Sequence, residues 1–279
     1  MKSKVSDQIA DFLAEKGIRH VFGIVGAGNA HIFDSIARKG FTEMVCVHHE
    51  QAGLMAMMTY FRTSGHVSAA IVTTGAGSAN AVTGVVSAWM DSVPGIVISG
   101  NENSRFTEAN NPLRIWGIQG YDSVEMVRKV TKYANRVMDP QQIRYELGKA
   151  HHVATTGRPG PVWLDVPMNI QATLIETDGL PEFQANALPA ALPLQAVAMT
   201  LMASAASATP SDRIIRDPKE AAREVLSKLE GAKRPVIWLG HGIRLAEATH
   251  LIRPLLDRFE APALVSWAGI DMVDSDHPR

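Results

Sequence analysis

The stretch Val45-Cys46-Val47-His48-His49-Glu50-Gln51 sets the pattern of the fold, because an apolar strand runs straight into the start of a helix. The helix predicted over residues 52–61 carries no charge before Arg62. Glu50 is therefore a carboxylate on the rim of an apolar unit, where desolvation is costly and favours the protonated form unless a partner compensates. Two interpretations follow: an acid that exchanges a proton with a bound ligand, or a first-turn glutamate that caps the helix.

The same alternation of short apolar runs and amphipathic helical patterns extends on both sides of this stretch. Strands apolar on both faces and separated by crossover helices indicate an α/β fold with a doubly wound parallel sheet. Such a sheet binds ligands beyond the carboxyl ends of its strands. Glu50, two glycine turns and an irregular section over residues 100–121 all follow strands, so we expect them to gather at that edge. The strands are predicted at residues 20–24, 45–47, 67–73, 95–99 and 161–166. Further along, strands at 234–239 and 263–265 are predicted on either side of a helix over 246–259.

The chain is predicted to have three parts. Residues 1–172 form the sheet domain, residues 173–216 form a linker, and residues 217–279 form the start of a second, incomplete α/β Rossmann-like domain. The run from 183 to 211 carries no charge, but prolines and a Ser/Thr/Ala tail interrupt it, which favours a linker over a membrane span. A second sheet cut short exposes apolar edges, so we expect it to pair with another chain.

Composition excludes several classes of function. The 279 residues are 46% hydrophobic and 20% charged, with a net charge of −1, which is ordinary for a soluble globular protein and gives no electrostatic case for binding nucleic acid or an anionic membrane. The single cysteine, Cys46, lies in a predicted buried strand and is interpreted as small apolar filler in a reducing cytoplasm. The polar amino terminus lacks the apolar core of a signal peptide, so a cytoplasmic location is expected.

Two glycine turns, Gly26-Ala27-Gly28-Asn29-Ala30-His31 and Gly75-Ala76-Gly77-Ser78-Ala79-Asn80, each join a strand to a helix. Neither matches the dinucleotide fingerprint at its last position, and neither carries the Lys-Ser/Thr ending of a P-loop. They indicate either tight turns or backbone that a flat ligand can approach closely. No histidine pair has metal-ligand spacing and no Gly-x-Ser-x-Gly elbow occurs, so neither a protein metal site nor serine hydrolysis is predicted.

Several further motifs accompany these turns in a fixed order along the chain. The set is Val21-Phe22-Gly23, His49-Glu50-Gln51, Thr73-Thr74-Gly75-Ala76-Gly77-Ser78-Ala79-Asn80, Val82-Thr83-Gly84, Asp91-Ser92-Val93-Pro94 and Gly157-Arg158-Pro159-Gly160-Pro161-Val162-Trp163-Leu164-Asp165-Val166-Pro167. It resembles the amino-terminal half of thiamine diphosphate-dependent enzymes, with acetolactate synthase as the nearest branch. The resemblance is dense over residues 1–172, the implied pyrimidine-binding domain, and looser over 217–279, the implied start of the central domain.

The resemblance implies roles for individual residues. Glu50 is expected to hydrogen-bond the aminopyrimidine ring of thiamine diphosphate, to favour its imino tautomer and so to help deprotonate the thiazolium carbon. Gln119 corresponds to a family glutamine near the reaction centre, which makes it the second candidate catalytic residue. The other residues implied at the pyrimidine pocket are Val25, Gly26, Ala27, Thr74, Gly77 and Asn80. Three residues correspond to positions that approach FAD in acetolactate synthases: Arg158, Gly240 and Gly242.

The implied activity is decarboxylation of a 2-keto acid, pyruvate, followed by carboligation. Two alternatives stay open: acetyl transfer from pyruvate to a keto-sugar nucleotide, and a non-catalytic interaction subunit. The segment Asn111-Pro112-Leu113-Arg114 also resembles acetolactate synthase-like proteins of surface-sugar biosynthesis. Met168 stands where acetolactate synthases carry a lysine at the substrate entrance, so the acceptor is left undecided.

The family holds the diphosphate and its Mg²⁺ in a third domain, which nothing in this chain resembles. The Mg²⁺ ligands are therefore expected outside the chain. Because family sites form between subunits, we expect a dimer or tetramer, either with itself or with a chain that carries the diphosphate-binding domain. The chain is then a fragment, one subunit of a split enzyme, or a non-catalytic relative, and is not expected to be catalytically competent alone.

Overall fold

The computed structural model describes residues 2–107, 111, 113–185 and 217–279. The chain divides into two compact units, Met1–Ala187 and Leu188–Arg279, and each is described by itself. Most of the predicted linker, residues 186–216, lies outside the described residues, as does Pro112, and the predicted boundaries at 172 and 216 stay predictions. No helix of the described residues is long and apolar enough to span a membrane.

Strands and helices alternate along the first unit, as the sequence predicts. The strands of the described residues are β1 (Lys2–Lys4), β2 (His20–Gly23), β3 (Glu43–Cys46), β4 (Ala69–Val72), β5 (Gly95–Asn101), β6 (Tyr133–Arg136), β7 (Pro161–Pro167), β8 (Leu174–Glu176), β9 (Ile237–Leu239) and β10 (Ala263–Val265). The helices are α1 (Val5–Glu15), α2 (Ala30–Lys39), α3 (Glu50–Ser64), α4 (Ala76–Asn80), α5 (Val82–Met90), α6 (Ser123–Val127), α7 (Ile143–Thr155), α8 (Met168–Ala172), α9 (Pro218–Gly231), α10 (Gly242–Leu245) and α11 (Ile252–Arg258).

A six-stranded sheet forms the centre of the first unit, in the order β3-β2-β4-β5-β7-β6. All of its neighbouring strands run parallel, so the predicted doubly wound parallel sheet is confirmed. Strands β1 and β8 form a separate antiparallel pair. The second unit contains the parallel pair β9 and β10, with a small core around Ile237 and Leu256.

Two apolar clusters cover the two faces of the central sheet. Along β5, Ile96 and Ile98 join the cluster that also includes side chains of α1, α2 and α7. Val97, between them, joins the cluster that includes side chains of α3, α5 and α6. Successive side chains of a strand point to opposite faces, so the continuous apolar runs of the sequence exist because both faces are covered by helices.

Helices α3 and α5 pack closely enough to require a glycine. A Cβ added to Gly84 of α5 would overlap Leu54 Cβ of α3 and would lie 3.1 Å from Leu54 Cγ. We expect Gly84→Ala to destabilise the protein by about 1–3 kcal/mol, the usual cost of overpacking a core, which exceeds the roughly 0.5–1 kcal/mol that alanine gains over glycine within a helix. Urea unfolding monitored by circular dichroism measures this difference.

Thr83→Ala is the matched control, since Thr83 is the exposed neighbour of Gly84 on the same helix. We expect its stability to stay within about 0.5 kcal/mol of the wild type, as for most surface substitutions. Equal unfolding midpoints for the two variants would contradict the close packing of α3 against α5.

The prediction that Cys46 is buried is wrong. Cys46 is exposed, because β3 is an edge strand of the sheet, with no neighbouring strand on its outer side among the described residues. The apolar run 45–47 is typical of a buried strand, but the sequence pattern does not distinguish a central strand from an edge strand. Cys46 therefore does not fill space in the buried core.

Other differences lie where backbone geometry interrupts a predicted element. The helix predicted over 246–259 is broken at Glu247, which has a positive φ of 54°, and regular α-helix resumes only with α11. The predicted strand 234–239 begins later, at Ile237. Strand β6 was not predicted, because its four residues are only partly buried at the far edge of the sheet and lack the apolar run of the central strands.

Candidate functional site

The loops after β2 and β4 meet at the carboxyl edge of the sheet. Strand β2 has β3 on one side and β4 on the other, so the chain changes direction across the sheet here, and such a switch point opens a crevice for ligands. The backbone N–H of Gly28 donates to Thr73 Oγ1 at 3.2 Å. A Cβ added to Gly26 would lie 2.7 Å from Thr73 Cβ. The first glycine turn therefore packs directly against the end of β4.

Glu50 is the first residue of α3 and is buried, with 7% of its surface exposed. Its Oε2 accepts a hydrogen bond from Asn80 Nδ2 at 3.0 Å. The capping role that the sequence left open for Glu50 is performed by His49, whose Nδ1 accepts from the backbone N–H of Gln51 at 3.2 Å. The Glu50 carboxylate is thus directed towards the second glycine turn.

Gly77 lies against the same carboxylate. A Cβ at this position would lie 2.9 Å from Glu50 Oε1 and 2.7 Å from Thr73 Cγ2, and both distances are shorter than real Cβ contacts. The absence of a side chain therefore keeps the approach to Oε1 open. Val25 and Ala27, on the facing loop, are exposed.

The irregular section reaches this site through Gln119. Its Nε2 donates to the carbonyl oxygen of Thr74 at 3.4 Å. Gly75 has a positive φ of 70°, and a Cβ on it would lie 2.9 Å from Gln119 O. A cavity of about 400 Å³ lies between this section and the second glycine turn. Its lining includes Gly75, Ala79, Arg114, Ile118, Gln119 and Tyr121.

Sequence reasoning missed a buried polar cluster beneath the site. The carboxylate of Asp165 on β7 is fully buried, and its Oδ2 accepts from Arg136 Nε and from Asn101 Nδ2, both at 2.8 Å. Burial raises the pKa of Asp165, and the ion pair and hydrogen bonds act in the opposite direction. Arg136 also donates to Thr107 O and to Asp122 Oδ1. The cluster therefore joins β5, β6 and β7 to Thr107, within the irregular section, and to Asp122, just after it.

Asn101 connects this cluster to the candidate site. Its Oδ1 accepts from the backbone N–H of Glu102 at 2.8 Å and from Thr74 Oγ1 at 3.3 Å, and its Nδ2 also donates to Tyr121 O at 3.2 Å. The Tyr121 hydroxyl lies 2.9 Å from Ser78 Oγ, and burial raises the pKa of Tyr121. One signal in the sequence pointed here: a charged residue, Asp165, stands within an otherwise apolar strand.

Within the first unit, one predicted residue, Arg158, lies apart from Glu50. Arg158 precedes β7, at the opposite edge of the sheet, where its Nε donates to Ser92 Oγ at 2.7 Å. Gly240 and Gly242 follow β9 in the second unit, and a Cβ added to either would meet nothing within 4 Å. Their assignment to a flavin stays a prediction. Among the described residues, no three His, Cys, Asp or Glu side chains are grouped to hold a metal ion.

Comparison with known proteins gives the same family for both units. Residues 3–128 match the model of the thiamine pyrophosphate enzyme N-terminal TPP binding domain, and residues 222–279 match the model of the thiamine pyrophosphate enzyme central domain. The first match contains Glu50, both glycine turns and Gln119. These residues therefore lie within a domain whose family binds thiamine pyrophosphate, also called thiamine diphosphate.

Curated relatives are similar along nearly the whole chain. The acetolactate synthase large subunit of Haemophilus influenzae is 29% identical over 266 residues, covering 95% of this chain and 42% of the relative. The acetolactate synthase isozyme 3 large subunit of Escherichia coli is 29% identical over 272 residues, covering 98% and 43%. The chain thus spans about two fifths of the length of these relatives. By both domain models and by these relatives, it belongs to the thiamine pyrophosphate enzyme family.

Proposed function

We propose that this chain supplies the pyrimidine-binding half of a thiamine diphosphate site in an acetolactate synthase-like enzyme, which decarboxylates pyruvate and joins the resulting two-carbon unit to a second carbonyl. One observation carries the proposal. A buried acid, Glu50, lies at the switch point of a parallel sheet, with one oxygen held by Asn80 and the other facing a glycine. That arrangement fits a flat, basic heterocycle, because a nitrogen of such a ring can come close to the open oxygen of Glu50 and exchange a proton with it.

The residues present fit the cofactor. Asn80 holds Oε2 of Glu50, which leaves Oε1, beside Gly77, as the oxygen that holds or transfers a proton to a ring nitrogen. When bound, thiamine diphosphate supplies the electron sink for decarboxylation. Gly77 leaves room beside Oε1, Gly26 lets the facing loop pack against Thr73, and Gln119 lines the neighbouring cavity. Glu50 is the catalytic acid–base group in this proposal, and Gln119 the second catalytic residue.

The rest of the site is proposed to come from another domain. The diphosphate and its Mg²⁺ are expected to be held by a domain that this chain does not resemble, either from a second copy of the whole enzyme or from a partner chain. A dimer or tetramer is the expected assembly, since the crevice at Glu50 then lies between subunits. Flavin binding by Arg158, Gly240 and Gly242 is a separate proposal, and the role of Glu50 does not depend on it.

The substrate that accepts the two-carbon unit distinguishes the two enzymatic proposals, acetolactate formation and acetyl transfer to a keto-sugar nucleotide. An assay of the complete assembly with pyruvate alone, compared with pyruvate plus a keto-sugar nucleotide, separates acetolactate formation from acetyl transfer to a sugar. Carbon dioxide release with pyruvate alone supports the first. Release that requires the sugar nucleotide supports the second. Thiamine diphosphate binding without any pyruvate consumption would leave only the non-catalytic interaction subunit.

Gly77→Ala should lower both turnover and affinity for thiamine diphosphate. The new Cβ would compete for space with Glu50 Oε1 and Thr73 Cγ2, so the carboxylate must move. Because a misplacement of about 1 Å can cost as much as 10²-fold, we expect a loss of at least about tenfold in kcat. Steady-state kinetics and isothermal titration calorimetry with thiamine diphosphate and Mg²⁺ measure the two effects.

The matched control is Gly231→Ala, at a helical glycine where an added Cβ meets nothing within 4 Å. It should keep wild-type turnover and cofactor affinity. If Gly77→Ala also kept both, the open approach to Oε1 would have no functional importance.

A further inference from the structure

We propose that Glu102 is a positioning residue that sets where Gln119 lies at the site. The proposal rests on the proposed function, because it assigns a task to a residue through Gln119. Glu102 directly follows β5 and is buried, with 7% of its surface exposed. Its Oε1 accepts a hydrogen bond from the backbone N–H of Gln119 at 3.3 Å. A buried carboxylate is costly without such donors, so Glu102 and the Gln119 backbone stabilise each other's position.

The turn that carries Gln119 is shaped around the Glu102 side chain. A Cβ added to Gly117, whose φ is 60°, would lie 2.7 Å from Glu102 Oε2. A Cβ added to Gly120 would lie 2.6 Å from Glu102 Cγ. Two backbone hydrogen bonds close the turn: Trp116 N–H donates to Gly120 O at 2.9 Å, and Gly120 N–H donates to Trp116 O at 2.8 Å. Glycine at both positions lets the turn close over the carboxylate.

Glu102 is itself fixed to the sheet. Its backbone N–H donates to Asn101 Oδ1 at 2.8 Å, and Asn101 Nδ2 donates to the buried Asp165 at 2.8 Å. Asn101 Oδ1 also accepts from Thr74 Oγ1, so the residue whose carbonyl receives the Gln119 side chain belongs to the same cluster. The backbone of Gln119 is thus connected through Glu102, and its side chain through Thr74, to the same buried residue, Asn101.

Gln119 has few other restraints. It is exposed, as are Gly117 and Ile118 before it, and its side-chain bond to Thr74 O is long at 3.4 Å. Gly75 packs against Gln119, but the turn is exposed on its other side, and an exposed turn with few buried contacts opens more readily when one of its backbone hydrogen bonds is removed. The carboxylate of Glu102 therefore determines where the Gln119 amide stands relative to Glu50 and the cavity.

The test compares Glu102→Ala with Glu102→Gln in the complete enzyme assembly. Alanine removes the acceptor for the Gln119 N–H, whereas glutamine keeps both an oxygen acceptor and the shape that faces the two glycines. We expect Glu102→Ala to lower kcat by about tenfold or more with a smaller change in KM for pyruvate, and Glu102→Gln to restore most of it. Hydrogen exchange of amides 116–121, measured without substrate, should be faster in Glu102→Ala and restored in Glu102→Gln.

Control variants distinguish a failure of the role of Glu102 from a failure of the proposed function. Glu125→Ala removes an exposed carboxylate that pairs with Arg128 on the surface and should leave kcat and exchange unchanged. If Glu102→Ala does not fold, Gly117→Ala displaces the Glu102 carboxylate from the turn side, since the three atoms nearest to an added Cβ there all belong to Glu102, and it should also lower kcat. Wild-type kcat and exchange in the Glu102 variants, or a glutamine variant as impaired as alanine, would overturn the proposal. A fully active Glu50→Gln enzyme would instead remove the proposed function, and the exchange measurement would still report whether Glu102 holds the Gln119 backbone.

Discussion

Glu50→Gln should lower kcat of the complete enzyme by roughly 10²–10⁴-fold, the contribution typical of a general acid–base group. The glutamine side chain keeps the shape of glutamate and can still accept from Asn80, so the fold should be nearly unchanged. It cannot exchange a proton at Oε1, the oxygen that faces Gly77. Steady-state kinetics with pyruvate, together with circular dichroism and titration with thiamine diphosphate, measure turnover, fold and binding separately.

Glu43→Gln provides the matched control for this experiment. Glu43 begins β3, one loop before Glu50, and its carboxylate is exposed where it pairs with His20. The same chemical change there should leave kcat within experimental error. Wild-type turnover in Glu50→Gln, with the control behaving as expected, would remove Glu50 from the mechanism.

Arg136→Met should destabilise the first unit by about 3–5 kcal/mol, the cost of breaking a buried ion pair from one side. The substitution leaves the fully buried carboxylate of Asp165 without its cationic partner. Methionine fills much of the space of the arginine stem, so the loss reflects the uncompensated charge more than a cavity. The second ion pair of Arg136, with Asp122, adds little because Asp122 is 40% exposed. Urea unfolding measures the free energy of unfolding.

The loss in free energy of unfolding caused by Arg136→Met should grow as the pH rises. Burial raises the pKa of Asp165 in the folded state, and loss of Arg136 removes an interaction that opposes this rise. A carboxyl group with a raised folded pKa stabilises the fold fully below its unfolded pKa, and that stability is lost as the pH rises through the folded pKa. The variant should therefore be closest to the wild type in acid, below the unfolded pKa of an aspartate, and should fall further behind it as the pH rises. A loss of stability that is the same at every pH would show that Asp165 stays neutral or is reached by water.

Arg128→Met is the control for charge removal alone, since Arg128 pairs with Glu125 on the exposed face of α6. Surface pairs of this kind contribute about 0.3–0.5 kcal/mol, so little change is expected. The double variant Arg136→Met with Asp165→Asn should recover part of the lost stability, because it removes the buried charge.

The sequence alone was sufficient to predict the central sheet and the meeting of Glu50 with the second glycine turn. Strands such as β5 and β7 are apolar along their length because helices cover both faces, and that pattern appears directly in the residues. Parallel strands bring their carboxyl ends to one edge, so residues that follow strands gather there irrespective of the details of packing. Local signals also placed the start of α3 to within two residues, since the predicted helix begins at Ala52 and the observed one at Glu50.

Only the tertiary structure decided how the edge is held together. Hydrogen bonds of Asn101 to Asp165 and of Glu102 to Gln119 join residues 64 and 17 positions apart, and no local pattern specifies such pairs. The exposure of Cys46 depends on strand order, which hydrophobic periodicity does not determine. Residue types and their spacing thus fix which groups reach the ligand edge, because they are set by local backbone geometry. The buried polar contacts that orient those groups are long-range, and they exist only once the strands have taken their places in the sheet.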